Sequence, residues 1–63
     1  MDELNNAETI KITVEEFSRL QSYMELTDKN TDAYKLMMKR YRELKVILTS
    51  LGVNLTNIDT INE

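Results

Sequence analysis

Six apolar residues, Tyr34, Met37, Tyr41, Leu44, Leu48 and Leu51, recur at steps of three and four along 18 residues. That is the a/d pattern of a helix burying one stripe against other helices. At 1.5 Å rise per residue the seam is about 26 Å long. Met38 and Ile47 widen it beyond a strict two-stranded stripe. The pattern predicts a helix over 31–51, ended by Gly52, the only glycine in the chain. A glycine at C′ takes the left-handed conformation without steric cost, and Val53 at C″ can then pack on Leu48 at C3.

A shorter helix is expected before it, over 14–26. Thr13-Val14-Glu15-Glu16 has the form of a capping box, with Ile12 and Phe17 placed as a hydrophobic staple. Phe17, Leu20 and Met24 mark its apolar face. Thr27-Asp28-Lys29-Asn30 favours a turn, because Asp and Asn side chains compete for backbone hydrogen bonds. Asn30 or Thr31 then caps the second helix, with Asp32 in its first turn. So short a connection makes the helices antiparallel neighbours.

Upstream, Thr9-Ile10-Lys11-Ile12-Thr13 alternates polar and apolar, the period of a half-buried strand. It is expected as an extended lead-in over 9–13, after a flexible arm over 1–8. Residues 53–63, with Val53, Leu55, Ile58 and Ile61 among Asn and Thr, form an irregular tail. The expected fold is all-α, a single domain over 1–63. It is an antiparallel hairpin of a short and a long helix with an extended N-terminal segment, dimerising into a helical bundle.

Size drives that last expectation. Sixty-three residues bury only about 60% of the surface exposed by the unfolded chain. Small domains commonly add disulfides, a metal or oligomerisation. The sequence has no Cys and no His, which removes disulfides and nitrogen- or sulfur-ligated metal sites. The first helix offers three strong apolar positions against at least eight on the second. The surplus face, Tyr34, Met37, Met38, Tyr41, Leu44, Ile47, Leu48 and Leu51, is therefore expected to bind a second copy or a larger protein.

Catalysis finds few components. Ser18, Ser22 and Ser50 have no histidine base, and one glycine cannot build a phosphate-cradling loop. Neither an enzyme nor a cofactor is expected. Asp28-Lys29-Asn30-Thr31-Asp32 copies the first five positions of a calcium loop, but Ala33 and Lys39 stand where Gly and Glu are needed. No apolar run approaches the roughly 20 residues of a membrane span, and the acidic N-terminus is unlike a signal peptide. A cytoplasmic protein is expected.

Charge is divided unevenly. Residues 1–32 carry eight acids against three bases, and residues 33–51 carry five bases against one acid. Two helices of opposite sign attract each other in a hairpin. Lys35, Lys39 and Arg42 also form a basic stripe, which admits a nucleic-acid partner as the less favoured reading.

The order strand, capped helix, turn, helix resembles the layout of ribbon-helix-helix repressors, in which paired strands read the DNA major groove. The resemblance implies a dimeric DNA-binding regulator, with Thr9, Lys11 and Thr13 as its contacts and Ile10 and Ile12 facing the core. The turn over 27–31 lacks the glycine usual there. The Asn/Thr/Ile/Lys-rich composition resembles that of small phage and mobile-element proteins.

Overall fold

The computed structural model describes residues 6–63. Two helices, α1 (Asn6–Glu25) and α2 (Asp32–Ser50), pack against each other as a hairpin. Among the described residues there is no strand. None of their helices is long and apolar enough to cross a membrane.

The N-terminal expectation is corrected. Residues 9–13 are not extended but lie within α1. The arm expected over 1–8 falls outside the described residues as far as residue 5, and Asn6, Ala7 and Glu8 form the first turn of α1. Thr13 is not a cap: its hydroxyl donates back to the Thr9 carbonyl at 2.8 Å, a bond made inside a helix. Ile12 is not stapled to Phe17, being 53% exposed. The physical reason is a competing period. Ile10, Val14, Phe17, Gln21 and Met24 follow one another at steps of four and three, and this face continues for about three turns beyond the five-residue alternation. Val14 packs against the core and Phe17 and Met24 belong to it, so tertiary burial outweighs the modest helix penalty of Thr and Ile.

Between the helices, the Asp28 carboxylate accepts from the Asn30 amide at 2.9 Å. Thr31 closes the turn by donating its hydroxyl to the Asp28 carbonyl at 2.7 Å. The same hydroxyl accepts from the Tyr34 amide at 3.2 Å and caps α2. At the far end Gly52 sits at φ +83°. Its amide reaches the Thr49 carbonyl at 3.0 Å, and the Val53 amide reaches the Leu48 carbonyl at 2.9 Å. That double bond pattern is the Schellman motif.

The core is Phe17 and Met24 from α1 with Tyr34, Tyr41, Leu44 and Leu48 from α2. The Phe17 and Tyr41 rings stack with centroids 5.5 Å apart and planes 12° from parallel. Two helices alone would leave one side of these residues wet. The tail covers it: Val53, Leu55, Ile58 and Ile61 all pack against the core. The helices also repeat one pattern at an offset of 24 residues. Phe17, Leu20, Gln21 and Met24 in α1 match Tyr41, Leu44, Lys45 and Leu48 in α2. Because the helices are antiparallel, the repeat gives the hairpin an approximate two-fold symmetry.

Candidate interaction face

The expected binding surface on α2 is largely internal. Tyr34, Tyr41, Leu44 and Leu48 are buried, while Met37, Met38 and Leu51 are half-buried. Ile47 alone of the eight is exposed, at 37%. The surplus seam is thus met within one chain, by α1 and the tail together.

Polar groups fix the tail in place. Gln21 is 2% exposed and bonds the tail at four points. Its amide nitrogen donates to the Ile58 carbonyl at 2.8 Å. Its oxygen accepts from the Thr60 amide at 2.7 Å, the Thr60 hydroxyl at 3.1 Å and the Ile61 amide at 3.0 Å. On α2, the Tyr41 hydroxyl donates to Asp59 at 2.6 Å and accepts from the Glu63 amide at 3.0 Å. Lys45 pairs with the other Asp59 oxygen at 3.2 Å, donates to the Glu63 main-chain oxygen at 2.6 Å and lies 5.1 Å from the Tyr41 ring centroid. The matched positions Gln21 and Lys45 therefore serve as matched anchors. Gln21 went unnoticed in the sequence, although a polar residue four positions from Phe17 on an apolar stripe was its signal.

These contacts set the titration of the site. Burial pushes the Asp59 carboxyl up, but bonds from Tyr41, the Asn62 amide and Lys45 outweigh it and hold it below the usual value. Burial and the Asp59 bond both push the Tyr41 hydroxyl up. Burial pushes Lys45 down, yet its bonds to Asp59 and Tyr41 leave it raised. A carboxyl depressed in the folded state contributes stability above its unfolded pKa, about 3.9 for Asp. The contribution disappears as pH falls through the folded value. Asp59→Asn should therefore flatten the loss of stability below about pH 4. Melting curves from neutral to acid pH read this, and an unchanged acid slope in the variant would contradict it. Glu16 is also held low by Arg40, but its side chain is 40% exposed and solvent screens the pair.

Opposite the tail lies the uncovered side. Ile12 stands nine residues from Gln21, and Leu36 nine from Lys45, which is half a turn around each helix. Ile12 and Tyr23 on α1 are 53% and 54% exposed, and Leu36 on α2 is 69% exposed. Leu26, just past α1, is 88% exposed. At about 100° per residue Ile12, Glu16, Arg19 and Tyr23 share one side of α1, as Leu36, Arg40, Glu43 and Ile47 share one side of α2. Arg40 joins the two rows. Its Nε and Nη2 reach the two Glu16 oxygens at 2.8 and 3.0 Å, and its Nη1 reaches Glu43 at 3.1 Å.

The residues implied by the repressor resemblance do not form a ribbon. Thr9 and Thr13 are half-buried on α1, and Lys11 is exposed 3.9 Å from Glu15. Lys35, Lys39 and Arg42 are exposed along α2. Among the described residues no three His, Cys, Asp or Glu side chains gather as a metal site. The Asp28 carboxylate is engaged by the turn. Compared with family models, curated proteins and solved structures, the chain finds no match.

Proposed function

We propose that this chain is a non-enzymatic helical-hairpin protein that acts by binding another protein, as an adaptor or as an inhibitor of a larger one. The observation that supports the reading is the side opposite the tail, where Ile12, Tyr23, Leu36 and Ile47 stand exposed on adjacent helices. Single exposed hydrophobics are ordinary, but several on one side of so small a molecule mark an interaction site. Helix faces that offer anchors at successive turns suit a helical or grooved partner surface. The DNA-binding alternative draws no support from the geometry, since its three contact residues lie on a helix whose flank carries Glu8, Glu15 and Glu16.

A photoreactive side chain at position 36 should crosslink a partner in cells. Tyr23→Glu with Leu36→Glu should reduce binding to that partner at least tenfold while helicity is retained. Partner binding that survives both substitutions contradicts the proposal, as does a crosslink made only from the tail side.

A further inference from the structure

At the turn end of the hairpin, the end of α1, the turn, the first turn of α2 and the tail surround a hollow of about 290 Å³. Tyr34 lines it and is 8% exposed. A tyrosine buried to that degree ordinarily has its hydroxyl bonded. Tyr41, one heptad further along the same stripe, follows the rule, with its hydroxyl bonded to Asp59 and to the Glu63 amide. Tyr34 does not. Its amide bonds Thr31, but its hydroxyl has no hydrogen-bond partner among the described residues. No fully buried side-chain oxygen of theirs is left unpaired. The small part of Tyr34 that stays accessible therefore includes the hydroxyl, and the hollow is the space it opens into.

Three charges stand around the same space. The Lys29 ammonium and the Glu63 carboxylate have no ion-pair partner among the described residues. Glu25 gives one oxygen to the Thr60 hydroxyl at 3.0 Å and keeps the other free. Both signs thus line one hollow without being joined to each other. The apolar part of the wall comes from Met24, which is buried, and Ile61, which is half-buried. A simple cation would suit the two glutamates but leave Lys29 opposing it and Tyr34 unused. A simple anion would meet two carboxylates. One molecule carrying both signs and an apolar body uses every group. The volume lies at the lower edge of the range for small-molecule sites, about 300–1,000 Å³, which fits a single amino acid and excludes a peptide or nucleotide. We propose that this hollow binds a free aliphatic amino acid, with its ammonium between Glu25 and Glu63, its carboxylate at Lys29 and the Tyr34 hydroxyl, and its side chain on Met24 and Ile61. The site shares no residue with the side opposite the tail, so the inference goes beyond the protein-binding reading and does not depend on it. Such a ligand ties the turn to the tail, the two segments without regular structure.

L-Leucine titrated into the full chain should bind saturably with a Kd near or below about 1 mM. It should shift the amide resonances of Lys29, Thr60 and Ile61 and raise the melting temperature in proportion to occupancy. N-Acetyl-leucine, which lacks the ammonium, and leucinamide, which lacks the carboxylate, should each bind at least tenfold more weakly. Lys29→Met and Tyr34→Phe should each cause a similar loss for L-leucine. If Tyr34→Phe loses helix content, Lys29→Met and Glu63→Gln carry the test, since both positions are exposed. Absence of saturable binding by L-leucine overturns the proposal. So does equal binding of the two derivatives, binding indifferent to Lys29→Met and Glu63→Gln, or resonance shifts confined to Ile12, Tyr23 and Leu36.

Discussion

Tyr41→Ala should leave the chain largely unfolded at ordinary temperature. Tyr41 is fully buried, stacks on Phe17, bonds Asp59 and Glu63 and lies under Lys45. Truncating a large buried aromatic costs about 3–5 kcal/mol. A chain of this length has a total stability of about 3–9 kcal/mol, at typical values per residue. The loss is therefore comparable with everything available. Tyr41→Phe separates the two roles of the side chain, because it keeps the stacked ring and removes only the hydroxyl. Its cost should be about 1–3 kcal/mol, the desolvation left on the Asp59 and Glu63 groups. Thermal melts followed by circular dichroism distinguish these outcomes, and a Tyr41→Ala melt close to the parent's would refute the assignment of Tyr41 to the core.

Gln21→Met is expected to be the most damaging change that keeps side-chain volume and shape. Methionine fits the space but offers nothing to the Ile58 carbonyl or to the Thr60 and Ile61 amides. These bonds are partly buried, and a group left without a partner away from water costs about 1–3 kcal/mol. The tail can escape that cost only by moving to water, which in turn exposes the core that Ile58 and Ile61 cover. The expected result is a loss of about 3 kcal/mol and of hydrogen-exchange protection at Thr60 and Ile61, with α2 protected longer than the tail. Protection of those two amides equal to the parent's would show that Gln21 does not hold the tail.

Much of the architecture was legible because its causes are local. The steps from Tyr34 to Leu51 locate α2, and Gly52 with Val53 and Leu48 specifies its end, all within a few residues. Two parts were not legible, for different reasons. Thr9–Thr13 fits two periods at once, and the choice between them is made outside it, by Val14, Phe17 and Met24 extending the helical face. The tail has no period at all. Its order comes from Gln21 and Tyr41, partners 18–40 residues away in the chain, and no short window of sequence displays such pairing. The candidate site followed the same logic. An apolar stripe on α2 reads as a surface for a partner, and the chain's own tail occupies it. The side left open is a weaker pattern split between both helices, visible only once they are paired.

The four bonds made by Gln21 give an irregular segment a fixed register. Ile58, Thr60 and Ile61 must arrive at one side-chain amide while Asp59 arrives at Tyr41 and Lys45. The count of residues between Gly52 and Ile58 is therefore as constrained as the spacing in a paired strand. One residue added at Asn57 would present the wrong backbone groups to Gln21 and turn Asp59 away from Lys45. One added at Lys29, in the exposed turn between the helices, would break only the local bonds of Asp28 to Asn30 and Thr31 and none of these tail pairings. Length variants of this protein should accordingly concentrate in the connection between α1 and α2 and be absent from the tail, although both segments lack regular secondary structure.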